Sequence, residues 1–299
     1  MSGVIISDYS HHHSHWNSQR SLSQWLNEQG VPALYGIDTR LLTKKIREKG
    51  ALRATIEFDP SIVLGGVSSA PAFEDVNERN LVAEVSITEP RVFNKGGKFK
   101  VLATDCGIKY NIIRQLAARG CEVTLVPWDT PLVPLLKEMD GLFLSNGPGN
   151  PAMASKTVDN IKAAIAAMES GELEMKPLFG ICLGNQLLGL AAGAETYKLP
   201  FGNRGQNQPV INLITKRCYI TPQNHGYALD ASKLPEGWMA IFENRNDGSN
   251  EGIMHKTRPW ITAQFHPEAK SGPSDTAFLF DLFIQVPNIC LYRYRYRKI

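Results

Sequence analysis

The chain has 299 residues, of which 43% are hydrophobic and 20% charged, a composition typical of folded proteins rather than disordered ones. Lysine and arginine number 32 against 29 acidic residues, and a net charge of +3 does not favour nucleic acid or an anionic membrane as the main partner. The five cysteines, an odd number in a chain long enough to bury a core, argue against a disulfide scaffold and favour a reducing compartment.

The first 57 residues predict a small unit with two helices. One helix is expected over 20–29 with Ser21 as its N-cap, and a second, basic-faced helix over 39–49. Residues 58–97 contain several Pro, Gly and Ser residues, which predicts a connector between two domains.

From residue 98 onward the pattern predicts strands that alternate with helices. Short apolar strands are expected at 100–104, 122–126, 141–144 and 177–181, and later ones near 218–221, 240–242 and 260–265. Helices are expected at 109–119, 158–170, 187–193 and 276–285. This alternation predicts an α/β domain over 98–286, with an open, mostly parallel sheet flanked by helices. Residues 287–299 form an atypical basic tail, for which we predict no binding function.

The segment Gly180-Ile181-Cys182-Leu183-Gly184 is the cysteine version of the G-x-S-x-G nucleophile elbow. In such an elbow a strand turns abruptly into a helix, and glycines on both sides avoid side-chain collisions in the turn. The start of the following helix favours a thiolate at Cys182, and the N–H of Leu183 would face a developing oxyanion. Taken alone, the pentapeptide is equally compatible with a buried structural cysteine.

A candidate base follows in Gln264-Phe265-His266-Pro267-Glu268. A cysteine nucleophile needs a base, and the base needs an orienting partner. Because residues two apart project to the same side of an extended segment, Glu268 could hold one nitrogen of His266 while the other faces the thiol. Taken alone, a His-x-Glu sequence is more often an ordinary surface pair, but its occurrence together with the elbow favours a catalytic arrangement.

The third feature is the loop at 144–149, at the end of a predicted strand. Gly147 and Gly149 would leave their amides uncovered at the sheet edge where open α/β folds bind ligands. A plain Asn-Gly-Pro-Gly turn is the alternative. The loop lacks the spacing of a phosphate-binding Walker loop, so no ATP site is expected here.

These three elements, in this order, resemble the triad-type (class I) glutamine amidotransferases, and the closer resemblance is to the glutaminase part of carbamoyl-phosphate synthetase. The segments that carry it further lie at 36–40, 105–109, 202–209, 223–227, 250–253 and 272–275. The resemblance extends from about residue 15 to residue 285. It implies a flavodoxin-like amidotransferase domain over 98–286, preceded over 1–57 by part of the synthetase small-subunit N-terminal α/β domain.

For the site, the resemblance implies that Cys182 attacks the carboxamide of L-glutamine and forms a γ-glutamyl thioester. His266 would act as general base and then acid, oriented by Glu268. Leu183 and Gly149 would supply the oxyanion amides. Five further residues match positions that hold the glutamine: Gly147, Gln186, Asn224, Gly226 and Tyr227.

For cofactors and partners, the resemblance implies that this chain needs no cofactor and passes ammonia to a carbamoyl-phosphate synthetase large (ATP-grasp) subunit or fused domains. ATP and a metal ion are expected only in that partner. The sequence shows no run of about eighteen apolar residues and no signal-peptide pattern, so we expect an intracellular, soluble chain without a membrane segment.

Departures from the family pattern give three further expectations. The segment before Ser21 is shorter than in the family, which predicts an N-terminally truncated chain. Asn185, where many relatives have His, and the run 206–208 resemble the arginine/urea-type enzyme more than the pyrimidine type. The compartment would be the mitochondrial matrix for the arginine/urea type and the cytoplasm for the pyrimidine type.

Three alternatives to an active glutaminase remain open from the sequence alone. They are a truncated, non-catalytic docking module, a different class I amidotransferase, and a cysteine peptidase of the same fold. The histidines at 11–13 and 15 are predicted to be solvated rather than metal-binding. His225 has no carboxylate two residues on and is not predicted to be the base, and the other cysteines are predicted to be non-catalytic.

Overall fold

A computed structural model of the chain describes residues 3–50, 52–56 and 75–285. They group into two units that divide after Asp75. The predicted tail at 287–299 and residues 58–74 of the predicted connector lie outside the described residues. None of the helices within the described ranges combines the length and apolar character needed to cross a membrane.

The first unit contains two helices and a small parallel ribbon. Strand β1 (Val4–Ile5) pairs with β2 (Ala33–Leu34). Helix α1 (Leu22–Glu28) begins at the predicted cap: Ser21 accepts a hydrogen bond from the Gln24 N–H, and the Gln24 side chain accepts one from the Ser21 N–H. Helix α2 (Thr39–Lys49) begins after Asp38 and ends at Gly50, close to the predicted bounds.

The second unit is built on one ten-stranded sheet. Its strands in chain order are β3 (Arg91–Phe93), β4 (Phe99–Asp105), β5 (Cys121–Pro127), β6 (Gly141–Leu144), β7 (Leu178–Ile181), β8 (Thr196–Asn212), β9 (Cys218–Leu229), β10 (Trp238–Asn244), β11 (Asn250–His255) and β12 (Trp260–Ala263). Its helices are α3 (Leu81–Val85), α4 (Tyr110–Ala117), α5 (Val133–Leu136), α6 (Ser155–Ser170), α7 (Leu183–Ala192) and α8 (Phe278–Gln285).

The strand order is β3-β5-β4-β6-β7-β12-β11-β10-β8-β9. The segment from β5 to β12 is parallel and has the order of a flavodoxin-like sheet, which confirms the predicted fold class. The remaining pairings are antiparallel, so the sheet is mixed rather than mostly parallel.

Helices cover both faces of the parallel strands. Successive residues of each strand point to opposite faces, so each strand packs against helices on both sides. In β6, Phe143 packs on one face with Phe179 and with Phe280 and Phe283 of α8. The alternate residues of β6 pack on the other face against α6 and α7. The parallel strands are therefore buried on both sides, as their continuous apolar sequences predict.

Several elements differ from the sequence prediction. The predicted connector over 58–97 is structured from Val76 onward, because β3 pairs with β5 and extends the sheet. Helix α7 begins at Leu183, directly after the elbow, rather than at residue 187. Strands β8 and β11 were not predicted, and β9 continues well beyond residue 221.

Candidate active site

Cys182 occupies the turn between β7 and α7 with a positive φ of 54°. This is the strained backbone expected of a nucleophile elbow. A Cβ on Gly180 would lie 2.7 Å from the carbonyl oxygen of Gly184, so one glycine is required by the turn itself. A Cβ on Gly184 would lie 2.2 Å from the carbonyl oxygen of Leu144 in β6, so the other lets α7 approach the sheet.

His266 and Glu268 follow β12, the strand beside β7, and both side chains are buried. The Nδ1 atom of His266 lies 2.8 Å from Oε1 of Glu268. The imidazole is also a hydrogen-bonding and charge partner of the Cys182 thiol. The N–H of His266 donates to the Pro222 carbonyl at 2.9 Å, which fixes its backbone against β9. The structure therefore brings the three predicted triad residues together.

Lys109 extends this arrangement by one more charge. Its Nζ lies 3.2 Å from Oε1 of Glu268 and 3.1 Å from Nδ1 of His266. The Lys109 side chain is 46% exposed, whereas that of Glu268 is completely buried. Lys109 thus places a solvated positive charge against a buried carboxylate.

The pKa values of the three residues move in the directions that nucleophilic catalysis requires. Burial raises the pKa of the Cys182 thiol, but the charge and hydrogen bond of His266 outweigh it, so the net shift is downward. Burial lowers the pKa of His266, but the negative Cys182 and Glu268 raise it to about 9. Burial raises the pKa of Glu268, but His266 and Lys109 lower it overall. The lowered pKa of Cys182 and the raised pKa of His266 both favour the thiolate–imidazolium pair over the neutral pair.

The other described cysteines behave differently. Burial raises the pKa of Cys106 to about 12 and that of Cys121 to about 11. Cys218 is exposed and, like them, is not disulfide-bonded. A lowered thiol pKa thus distinguishes Cys182 from Cys106 and Cys121, the other buried cysteines among the described residues.

A second buried histidine–carboxylate pair lies on the β9 side of the thiol. Both ring nitrogens of His225 face hydrogen-bond acceptors: Nδ1 lies 2.9 Å from the Tyr227 carbonyl oxygen, and Nε2 lies 3.0 Å from Oε1 of Gln223. Its Nε2 also lies 3.6 Å from Glu251 of β11. Burial lowers the pKa of His225, yet Glu251 raises it above its ordinary value, and the positive His225 in turn helps to lower the pKa of Cys182.

Two loops at the carboxyl ends of β4 and β6 are tied to each other beside the thiol. The N–H of Cys106 donates to Oγ of Ser145 at 2.9 Å, and the N–H of Lys109 donates to Oδ1 of Asn146 at 3.0 Å. A Cβ on Gly147 would lie 2.1 Å from the Cys106 carbonyl oxygen, so only glycine permits this approach. These contacts hold Lys109 in place.

A cavity of about 260 Å³ opens onto Cys182. All five predicted glutamine-binding residues and Gly149 line it, together with Val76, Asn77, Leu81, Pro148, Arg204 and His225. Leu183, the other predicted oxyanion residue, begins α7, where an amide N–H has no partner within the helix.

Hydrogen bonds in a buried polar network hold the side chain of Gln186. Its Nε2 donates to the Tyr227 carbonyl at 2.8 Å and to Oε1 of Gln264 at 3.0 Å. Asn185 donates to the same Gln264 oxygen at 2.9 Å and accepts from Oγ1 of Thr262. With both amide hydrogens engaged, Gln186 has only its carbonyl oxygen left for a ligand in the cavity.

Sequence reasoning missed Lys109, Arg204 and Glu251. All three had a signal, since they lie in the segments 105–109, 202–209 and 250–253 that carry the family resemblance. Arg204 and Glu251 lie on β8 and β11, the strands that the sequence did not predict. His225 lacks a carboxylate two residues on in the sequence, but the fold supplies Glu251 from another strand.

No metal site accompanies these residues in the part of the chain that the structure describes, where no group of three or more His, Cys, Asp or Glu side chains is arranged to hold an ion. The histidines at 11–13 and 15 are exposed.

The sequence matches two protein families. Residues 102–286 match the family described as Glutamine amidotransferase class-I, and residues 1–56 match the Carbamoyl-phosphate synthase small chain, CPSase domain. Among solved structures, a protein described as a GMP synthase subunit from Thermoplasma acidophilum covers 67% of this chain and 98% of its own, with a TM-score of 0.55 and 25% identity. That likeness supports the fold.

Curated relatives extend over nearly the whole chain. Carbamoyl-phosphate synthase [ammonia], mitochondrial, from Aquarana catesbeiana is 51% identical over 286 residues, which are 95% of this chain and 18% of the relative. Multifunctional protein CAD from Squalus acanthias is 51% identical over 282 residues, which are 94% of this chain and 12% of that protein. The chain thus spans less than a fifth of these relatives. Since the match to residues 102–286 covers more than half of the chain and includes Cys182, His266 and Glu268, the chain belongs to the class-I glutamine amidotransferases.

Proposed function

We propose that the chain hydrolyses the side-chain amide of L-glutamine with Cys182 as nucleophile, His266 as acid and base, and Glu268 as the group that orients His266. The observation that carries this proposal is the buried Cys182–His266–Glu268 arrangement at the wall of the cavity. The opposite pKa shifts of the thiol and the imidazole support it, because they supply the thiolate that the reaction needs.

In the first half-reaction the thiolate of Cys182 attacks the amide carbon of glutamine. The N–H groups of Leu183 and Gly149 stabilise the negative charge that develops on the amide oxygen. The imidazolium of His266 then gives its proton to the leaving nitrogen, so ammonia departs and a γ-glutamyl thioester remains. In this half-reaction His266 acts as the acid, and it acts as the base in the second half-reaction.

In the second half-reaction neutral His266 takes a proton from water, and the resulting hydroxide attacks the thioester carbon. The carbon–sulfur bond breaks, glutamate leaves, and the thiolate–imidazolium pair is restored. Glu268 keeps its charge throughout and stabilises the imidazolium form of His266.

The five glutamine-binding residues are part of the same proposal. Gly147, Asn224, Gly226 and Tyr227 line the cavity, and their positions support contacts with the substrate. The free carbonyl oxygen of Gln186 suits the α-ammonium group of glutamine, which is a hydrogen-bond donor only.

The ammonia is proposed to serve carbamoyl phosphate synthesis in a synthetase partner or in fused synthetase domains. Support comes from the relatives named carbamoyl-phosphate synthase, in which this chain corresponds to 18% of the length, and from the small-chain family match over residues 1–56. ATP and its metal ion would bind to the synthetase part. The synthetase that the chain serves determines whether the pathway is of the arginine/urea or the pyrimidine type. It also determines the compartment.

The test is glutamate release from glutamine by the purified chain, measured with the synthetase partner and without it. Cys182→Ala should abolish release and labelling by a glutamine-like electrophile, whereas Cys218→Ala, which changes an exposed cysteine, should preserve both. Equal activity in all three proteins would overturn the proposal. A folded parent chain that is neither labelled nor active would favour the docking-module alternative.

A further inference from the structure

Arg204 is the arginine at the wall of the cavity. It lies on β8 directly opposite Asn224 of β9, and both side chains are exposed. Side chains of directly opposed residues share one face of the sheet, so Arg204 and Asn224 stand side by side there. The thiol of Cys182 contacts the Asn224 carbonyl oxygen at 3.9 Å. Arg204 is therefore paired with the residue that touches the nucleophile.

Two glycines make room for the Arg204 guanidinium. A Cβ on Gly202 would lie 2.1 Å from one terminal nitrogen of Arg204, and a Cβ on Gly226 would lie 3.6 Å from the other. The guanidinium therefore rests over the bare backbone of both strands. A larger side chain at residue 202 would displace it from the cavity.

Nothing in the described part of the chain neutralises this guanidinium. Arg204 has neither an ion pair nor a hydrogen bond to a described side chain, whereas Arg245 pairs with Glu243 at 2.9 Å and Arg217 lies over the Tyr219 ring. The described residues that line the cavity include no carboxylate. The wall around Arg204 thus presents an uncompensated positive charge, which suits an anionic group.

His225 is not available to bind an anionic group. It also lines the cavity, but Tyr227 and Gln223 engage its two ring nitrogens, and Glu251 already faces it. Among the described residues that line the cavity, Arg204 is therefore the charged group whose N–H donors remain open to an anion.

Resting on the proposed glutamine site, we infer that Arg204 binds the α-carboxylate of the substrate and so selects free glutamine over amides whose α-carboxyl group is neutral. When the side-chain amide of glutamine lies at Cys182, its α-carboxylate lies at the opposite end of the molecule, toward the wall that Arg204 forms. A planar guanidinium binds a carboxylate through two parallel hydrogen bonds, which gives both affinity and orientation. Arg204 is then a specificity-determining residue rather than part of the chemical step.

The test measures binding without turnover. In the full chain carrying Cys182→Ala, isothermal titration calorimetry would determine the dissociation constants of glutamine and of glutaminamide, whose α-carboxylate is replaced by a neutral amide. Adding Arg204→Gln should weaken glutamine binding by about tenfold to a hundredfold. Glutaminamide should bind equally weakly with or without Arg204. Arg204→Lys, which keeps the charge but not the planar fork, should restore part of the loss.

Arg217→Gln is the matched control, because it removes an exposed arginine from the same hairpin away from the cavity. It should leave both dissociation constants unchanged. The inference is overturned if Arg204→Gln leaves glutamine binding unchanged, if both ligands lose affinity in parallel, or if the Arg204-containing chain does not bind glutamine. If binding discriminates as expected but the Cys182-containing chain releases no glutamate, the proposed catalytic function fails while the assignment of Arg204 stands.

Discussion

Replacing Gly184 with alanine tests the turn that holds Cys182. The new Cβ would lie 2.2 Å from the Leu144 carbonyl oxygen, and ordinary contact begins at 3.4 Å, so α7 and β6 must separate by about 1.2 Å. The colliding atom belongs to the backbone of a strand inside the sheet and cannot rotate away. Because the thiol of Cys182 and the N–H of Leu183 stand at the start of α7, both would move with the helix.

The expected effect on kcat is larger than the effect on stability. A misplacement of about 1 Å at a reacting group costs about a hundredfold in rate. Alanine favours a helix over glycine by about 1 kcal/mol, and overpacking costs about 1–3 kcal/mol, so the net destabilisation should be about 0–2 kcal/mol. Gly184→Ala should therefore fold and lose most of its kcat.

Gly189→Ala is the matched control in the same helix. Its Cβ would also lie 2.2 Å from a neighbour, but that neighbour is the terminal Cδ2 of Leu229, which can change rotamer. The assay is glutamate release at saturating glutamine, with urea unfolding of each variant. Gly189→Ala should keep kcat close to that of the parent. A parental kcat in Gly184→Ala, or an equal loss in Gly189→Ala, would contradict the role of Gly184 in positioning Cys182.

Three further predictions concern the charges around the thiol. Glu268→Gln removes a carboxylate that helps to raise the pKa of His266 to about 9, so the alkaline limb of the kcat/KM profile should move to lower pH; an unmoved limb would contradict the contact. Lys109→Met removes a charge that lowers the pKa of Glu268, so the acidic limb of the kcat/KM profile should move to higher pH. Because Lys109 is partly exposed, kcat/KM at neutral pH should fall by about fivefold or less. A shift of the alkaline limb alone would count against that role of Lys109. Glu251→Gln removes the group that raises the pKa of His225 against its burial, so proton NMR should show His225 titrating at lower pH than in the parent, and an unchanged titration would disprove the pairing.

The sequence predicted the parts of the site that local pattern encodes. Gly180 and Gly184 around Cys182 signal a tight turn, and His266 and Glu268 share a side because they lie two residues apart. The structure adds a distinction that spacing could not show. Gly180 is required by the turn, whereas Gly184 is required by a neighbouring strand.

The parts that the sequence did not predict depend on strand register. Strand β8 is interrupted by Pro200, Gly202, Gly205 and Pro209, which break the alternation that identifies a strand. The structure accommodates them through register shifts against β9 between residues 198 and 203 and between 205 and 208. Without that pairing, Arg204 could not be placed opposite Asn224. Glu251 likewise reaches His225 only because β11 lies in the same sheet.

The order of charges explains how a thiolate can be held in so buried a site. Cys182, His266, Glu268 and Lys109 alternate in sign, so each of the first three has an oppositely charged neighbour. Burying an unpaired charge is far more costly than burying one that is paired. Only the last member, Lys109, is partly exposed, and there water solvates the end of the series. Glu268 uses one oxygen for both His266 and Lys109, while its other oxygen has no hydrogen-bond partner among the described residues. His266 is therefore the main group that lowers the pKa of Glu268, and Lys109, which the contacts between the β4 and β6 loops hold in place, adds to that effect.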